Sequence, residues 1–229
     1  MSATAAATMR TIPPGLFVPP GVYRPQADTR LLAEAFGHEE LAPGTDVLDI
    51  GTGTGALALL AAARGARVTA VDVSWPAVVS ARVNALRRRL PLRVVHGDFA
   101  ARARGGRFDV ILANPPYVPS PRARLPSHGA GRAWEGGLAG REVIDRICAR
   151  APALLHPGGV LLMVHSALCG ARATVAGLER AGLSAEVTLR TSVPWGPVLR
   201  SRRAWLERHG LADQGETREE LVIVRAESR

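Results

Sequence analysis

The chain has 229 residues, 47% of them hydrophobic, and a formal net charge of +9. That length suits one domain, and that hydrophobic fraction excludes global disorder. No apolar run approaches the roughly 20 residues of a membrane helix, and residues 1–14, alanine-rich with Arg10 as their one charge, lack the basic start and apolar middle of a signal peptide.

A flexible tail over residues 1–19, a single domain over 20–229 and a cytoplasmic protein are therefore expected, with Met1 or Met9 as the initiator. All 29 basic residues are arginine. This points to codon bias and a solvated basic surface more than to a phosphate-binding face, with an acidic partner or nucleic acid as the alternative. Cys148 and Cys169 have no metal or disulfide spacing and read as buried small hydrophobes. The histidines form no ligand pair, so no metal is expected.

Leu31, Leu32, Ala35 and Phe36 mark a short amphipathic helix over 28–36, with Asp28 as N-cap and Gly37 as stop. Strand, helix, strand, helix, strand then follow at 46–50, 54–63, 67–71, 75–88 and 92–95. A strand at 108–113, a helix at 140–153, a strand at 159–164 and a helix at 171–181 ended by Gly182 continue the alternation. Strands at 184–190 and 220–224 close the chain, separated by a basic, helical insert around 197–209. The almost wholly apolar strands 68–71 and 110–113 suit a parallel sheet covered on both faces, so the class is α/β and Rossmann-like. Residues 120–132, rich in Pro, Ser, Gly and Arg, read as a mobile loop.

Asp49-Ile50-Gly51-Thr52-Gly53-Thr54-Gly55 ends an apolar strand in a turn where Gly51 and Gly53 let a ligand lie on the backbone. An acid two residues before the first glycine repels a pyrophosphate but suits the amino group and sulfonium of S-adenosylmethionine. Asp72 closes the second strand, where an acid accepts both ribose hydroxyls. Asp98 follows the third, placed for an adenine amino group, with Phe99 packing on the ring. Carboxyl ends of adjacent parallel strands open on one crevice, so three acids there converge on one ligand.

Asn114-Pro115-Pro116-Tyr117 follows the strand at 108–113. The prolines fix the backbone and remove donors. The Asn114 side-chain carbonyl and the Pro115 carbonyl can then accept both hydrogens of an –NH2 group, while Tyr117 stacks over the flat group that bears it. The implied reaction is in-line methyl transfer to a planar amide or amino nitrogen, leaving S-adenosylhomocysteine, with orientation supplying the rate.

Together with Val22-Tyr23-Arg24-Pro25-Gln26-Ala27-Asp28-Thr29, followed by Leu31-Leu32, and with Trp134-Glu135-Gly136-Gly137-Leu138-Ala139-Gly140-Arg141-Glu142, these motifs make the chain resemble the HemK-type methyltransferases of release-factor glutamine, in their compact branch without an N-terminal helical domain. The resemblance covers roughly residues 20–170. It implies a class I methyltransferase fold, a seven-stranded, mostly parallel sheet whose last strand is antiparallel. It further implies Thr29, Asp49, Gly51, Asp72, Asp98, Phe99 and Asn114 as cofactor contacts, a release factor as protein substrate and a small activating subunit as partner. Two readings compete: N6-adenine methylation of DNA or RNA, and a catalytically silent binder on the same fold. The insert at 199–209 and the loop at 120–132 lie outside the shared motifs and are candidates for substrate recognition.

Overall fold

The computed structural model describes residues 11–102, 106–122, 125–126 and 129–229. Both candidate initiators, and residues 123, 124, 127 and 128 of the expected loop, lie outside the described residues. In chain order the elements are α1 (Ala27–His38), β1 (Asp46–Ile50), α2 (Ala56–Ala63), β2 (Arg67–Asp72), α3 (Trp75–Arg88), β3 (Arg93–His96), α4 (Phe99–Arg102), β4 (Phe108–Ala113), α5 (Glu142–Leu154), β5 (Leu155–Ser166), α6 (Ala171–Arg180), β6 (Leu183–Pro194), α7 (Pro197–Arg208) and β7 (Arg218–Ser228).

The seven strands form one sheet in the order β3-β2-β1-β4-β5-β7-β6. β7 runs antiparallel to both β5 and β6, and the other pairs are parallel. α2 packs against both α1 and α3, while α5 packs against α6. Strands covered in this way need apolar side chains on both faces. Val47, Leu48, Ile111, Leu112, Leu161 and Leu162 supply them, all at most 1% exposed. Among the described residues no helix is long and apolar enough to cross a membrane.

Register aligns the strand ends. Ile50 pairs with Val71 and Ala113, and Val71 with Val95, so the segments following β1, β2, β3 and β4 leave the sheet along one edge. An extended strand rises about 3.3 Å per residue, so this alignment, more than any single motif, makes Asp72, Gly51 and Asn114 neighbours.

Several boundaries differ from the sequence expectation. Asp28 is not the N-cap of α1: Gln26 is, and Asp28 lies buried in the first turn with other duties. Gly37 does not stop the helix, which runs on to His38. α2 starts at Ala56 instead of Thr54, because Gly55 caps it in the left-handed region at φ 80°. A Cβ at Gly55 would meet the Ala81 Cβ at 3.1 Å, which is how closely α2 approaches α3. α5 starts at Glu142 instead of Gly140, whose φ of 72° belongs to the turn before the helix. β6 and β7 are 12 and 11 residues long, well beyond the expected spans, because they pair as a ribbon whose β6 side chains alternate with solvent.

The insert is helical, as its sequence suggests, and its Leu199 and Leu206 form a small second core with Trp195. Cys148 and Cys169 are buried free thiols. Within the segment expected as a tail, Phe17 is tied to α3: its N–H donates to Asn84 Oδ1 at 2.7 Å, and its carbonyl accepts from Ser80 Oγ at 2.6 Å. In the loop expected to be mobile, residues 130–133 form a 3-10 turn, and Arg132 Nη2 donates to the Val73 carbonyl at 3.1 Å.

Candidate active site

A cleft of about 340 Å³ opens at the aligned strand ends. Every candidate site residue lines it: Thr29, Asp49, Gly51, Gly53, Asp72, Asp98, Phe99, Asn114, Pro115, Pro116 and Tyr117. They come from α1, β1 and its turn, β2, the β3–α4 junction and the segment after β4, so the sheet edge gathers what the sequence scatters.

At one end of the cleft, Asp49 is 1% exposed and accepts from Thr52 Oγ1 at 2.5 Å. Burial pushes its pKa up to about 7, against the Thr52 hydrogen bond, and the neighbouring Asp72 adds to the rise. The Thr52 hydroxyl and the Ala58 backbone N–H support this buried carboxylate, but no cation is among the groups that shift it, which fits a cationic ligand. Asp72 accepts from Gly53 N–H at 2.9 Å and Ser74 N–H at 2.8 Å. These bonds hold the glycine turn against β2. Burial raises the Asp72 pKa as well, while its two backbone donors and Arg132 pull it back.

Asp98 differs from its expected role in one respect, because a protein cation already reaches it. Its Oδ1 accepts from Ala100 N–H at 2.9 Å, and its Oδ2 pairs with the Arg146 guanidinium, which also sits 5.5 Å from the Phe99 ring centroid. Burial works to raise this pKa, but the Arg146 bond and charge outweigh it and the net shift is downward. Arg146 lines the cleft from α5. Nothing local in Asp145-Arg146-Ile147 distinguishes it from any other charge on an amphipathic helix.

The other end of the cleft is organised by Asp28. Its Oδ1 accepts from Thr29 N–H at 2.6 Å and Thr29 Oγ1 at 3.1 Å; its Oδ2 accepts from the hydroxyls of Tyr23 at 2.9 Å and Tyr117 at 3.3 Å. The Thr29 hydroxyl, having given its proton to Asp28, accepts from Asn114 Nδ2 at 3.3 Å. That chain of donors orients the amide: nitrogen on Thr29, carbonyl oxygen as the end left to accept from a ligand. Tyr117 is buried, and its phenol is held well above the ordinary pKa by burial and by the charges of Asp28 and Glu219, so it stays a neutral donor.

The turn beneath Tyr117 leaves no spare room. Gly140 has φ 72°, and a Cβ there would lie 2.2 Å from the Tyr117 carbonyl oxygen and 2.7 Å from Cys169 Sγ. That thiol donates to the same carbonyl at 3.0 Å. Sequence reasoning found Tyr117 and Asn114 but missed Asp28 as the group that locks them. The available signal was the adjacent Asp28-Thr29 pair, which helix-cap logic absorbed.

Known proteins resemble the chain in both sequence and fold. Residues 16–125 match the model of the methyltransferase small domain. The chain is 34% identical over 181 residues to a putative protein N5-glutamine methyltransferase of Methanocaldococcus jannaschii, covering 79% of this chain and 90% of that one. It is 36% identical over 153 residues to the mouse methyltransferase HEMK2, covering 62% and 71%. A release factor glutamine methyltransferase of Moorella thermoacetica is 39% identical over 158 residues, covering 64% of this chain and 55% of that one, so the chain spans about half the length of that bacterial relative. Among solved structures, the Mtq2-Trm112 complex of E. cuniculi, described as methylating the eRF1 translation termination factor, superposes with a TM-score of 0.63 at 23% identity, over 91% of this chain and 99% of that one. That superposition speaks for the fold, while the sequence identities identify the chain as a methyltransferase of the HemK-type family, the one that holds the protein glutamine N5-methyltransferases.

Proposed function

We propose that the chain transfers a methyl group from S-adenosylmethionine to the side-chain nitrogen of a glutamine in a peptide-chain release factor, acting in the cytoplasm. The observation that carries this reading is the oriented Asn114 amide, fixed through Thr29 by the buried Asp28. A small activating subunit, of the kind that accompanies the methyltransferase in the E. cuniculi Mtq2-Trm112 complex, belongs to the same proposal.

The residues at the strand ends fit the cofactor. Asp49 offers an under-neutralised buried carboxylate for its cationic methionine end, Asp72 an acceptor for the ribose hydroxyls, and Asp98 with Phe99 a polar and a flat surface for adenine. Gly51 and Gly53 present bare backbone between them. When bound, the cofactor supplies an electrophilic methyl group on a sulfonium.

An amide nitrogen is a poor nucleophile because its lone pair is delocalised into the carbonyl. Asn114 Oδ1 and the Pro115 carbonyl accept its two hydrogens, drawing electron density onto nitrogen and fixing the direction of its lone pair. The Tyr117 ring lies beside the flat acceptor. The proton in excess after transfer leaves through water or the Pro115 carbonyl, so no strong base is required. Purified protein incubated with methyl-labelled cofactor and a release factor should place label on one glutamine of the factor, located by peptide mass spectrometry. Label found only in added nucleic acid would contradict the proposal.

Asp49 also sets a pH dependence. Its carboxyl, pushed up to about 7 in the free protein, must be ionised to meet a cation, so binding releases a proton below that pH. Cofactor affinity is therefore expected to rise with pH up to about 7, by at most about tenfold per unit, and then to level off. Calorimetry in buffers of different ionisation enthalpy would register the released proton, and an affinity flat from pH 5.5 to pH 8 would exclude Asp49 as the cation's partner.

A further inference from the structure

The basic insert is not absorbed by the proposed chemistry, yet one of its arginines reaches the acceptor side of the cleft. Arg202, in the middle of α7, donates through Nη1 to the Pro119 carbonyl at 2.8 Å and through Nη2 to Glu135 Oε1 at 2.6 Å. Glu135 Oε2 accepts from Ser120 Oγ at 3.1 Å. The side chains of Arg202 and Glu135 are 16% and 8% exposed, so this ion pair is shielded from water.

The pair braces two segments that line the cleft. Val118 N–H donates to the Trp134 carbonyl at 2.7 Å, Gly136 N–H to the Val118 carbonyl at 3.0 Å, and Ser120 N–H to the Gly137 carbonyl at 2.9 Å. Residues 118–120 thus run beside 134–137 directly after Asn114-Pro115-Pro116-Tyr117, with Glu135 on one segment and Pro119 on the other held by the same guanidinium. α7 is anchored behind them by Trp195, Leu199 and Leu206, against which Val118 packs.

We infer that Arg202 is a positioning residue: through Glu135 and Pro119 it fixes the segment that follows Tyr117, and so sets the acceptor wall of the cleft without touching the cofactor end. A planar guanidinium suits this task because two of its N–H groups reach two acceptors at once, whereas an ammonium is a single point donor. The inference rests on the acceptor reading of Asn114 given above. It adds that the insert, absent from the shared motifs, tunes how the acceptor is held.

The test compares Arg202→Lys, which keeps a cation beside Glu135 and loses the fork, with the double change Arg202→Met and Glu135→Gln, which leaves no unpaired buried charge. Steady-state kinetics with a glutamine-bearing release factor should show kcat/KM for the acceptor reduced roughly ten- to hundredfold in the double variant and less in Arg202→Lys. Cofactor affinity should be unchanged in both. Hydrogen exchange, read without any acceptor, should quicken at the amides of Val118, Ser120 and Gly136 while those of β1 and β4 keep their protection. Unchanged exchange at the three amides, unchanged acceptor kinetics in a folded variant, or an equal loss of cofactor affinity would each overturn the inference. If the wild-type protein binds cofactor but methylates no glutamine, the proposed function fails by itself, and the exchange data alone decide whether Arg202 braces the wall.

Discussion

Asn114→Ala is expected to lower the rate of methyl transfer by roughly 10²- to 10³-fold, the loss typical of removing one preorganised polar group that acts on a developing charge. The change in cofactor affinity should be far smaller, because the carboxylates at the other strand ends are untouched. The side chain is held by one bond to Thr29 and lines an open cleft, so its truncation leaves no large cavity. Measurement of kcat and of cofactor Kd on the same preparation separates the two effects. Asn114→Asp is informative beside it: the charged side chain cannot donate to Thr29, whose hydroxyl must then choose between two carboxylates, so the locked orientation is lost although the size is kept. A variant with near wild-type kcat would remove Asn114 from the chemistry.

Asp72→Ala is expected to abolish useful cofactor binding. Two hydrogen bonds from ribose hydroxyls to a carboxylate contribute about 1.5 kcal/mol or more each, so losing both lowers affinity by roughly 100-fold or more. The substitution also releases Gly53 N–H and Ser74 N–H, which loosens the glycine turn and adds to the loss. Asp72→Asn keeps one carbonyl oxygen as an acceptor and should fall between wild type and Asp72→Ala. Equilibrium binding, with thermal unfolding as a check that β2 is intact, measures the series; equal affinity in all three proteins would exclude Asp72 as a ligand contact.

The strands and the helices between them were readable because their signals are local. The short apolar run Val110-Ile111-Leu112-Ala113 is told from the equally apolar helix Ala56–Ala63 by its length and β-branched residues, and Gly51, Gly53 and Gly55 mark the turn by composition alone. The convergence of Asp49, Asp72, Asp98 and Asn114 was readable for a topological reason: parallel strands must end on the same edge. What stayed hidden depends on contacts between segments distant in sequence. Asp28 looks like a helix cap until Tyr23, Tyr117 and Thr29 are seen to share its carboxylate. Arg146 looks like any surface charge until Asp98 is found beside it. Glu135 and Arg202 lie 67 positions apart and meet only because the β6–β7 ribbon carries α7 back over the segment after β4. The ribbon is longer than the strand expected at 184–190 because β6 continues through Thr191, Ser192 and Pro194, which an edge strand facing solvent on alternate positions accepts.

Asp28 changes how the site is understood. A carboxylate that accepts four donors is a rigid anchor, and it sits behind Asn114 at one remove. It connects the α1 segment to the segment after β4, so two of the motifs behind the family resemblance turn out to be one hydrogen-bonded unit. The Asp28-Thr29-Asn114 chain supplies the preorganisation that a reaction with little acid or base chemistry requires.

The most direct test of the whole account is a crystal structure of the protein with S-adenosylhomocysteine and a glutamine-bearing peptide. The account predicts ribose hydroxyls on Asp72, the amino end of the cofactor at Asp49, and the peptide amide on Asn114 Oδ1 with its nitrogen facing sulfur. A nucleoside seated elsewhere, or an Asn114 carbonyl directed away from the peptide amide, would contradict it.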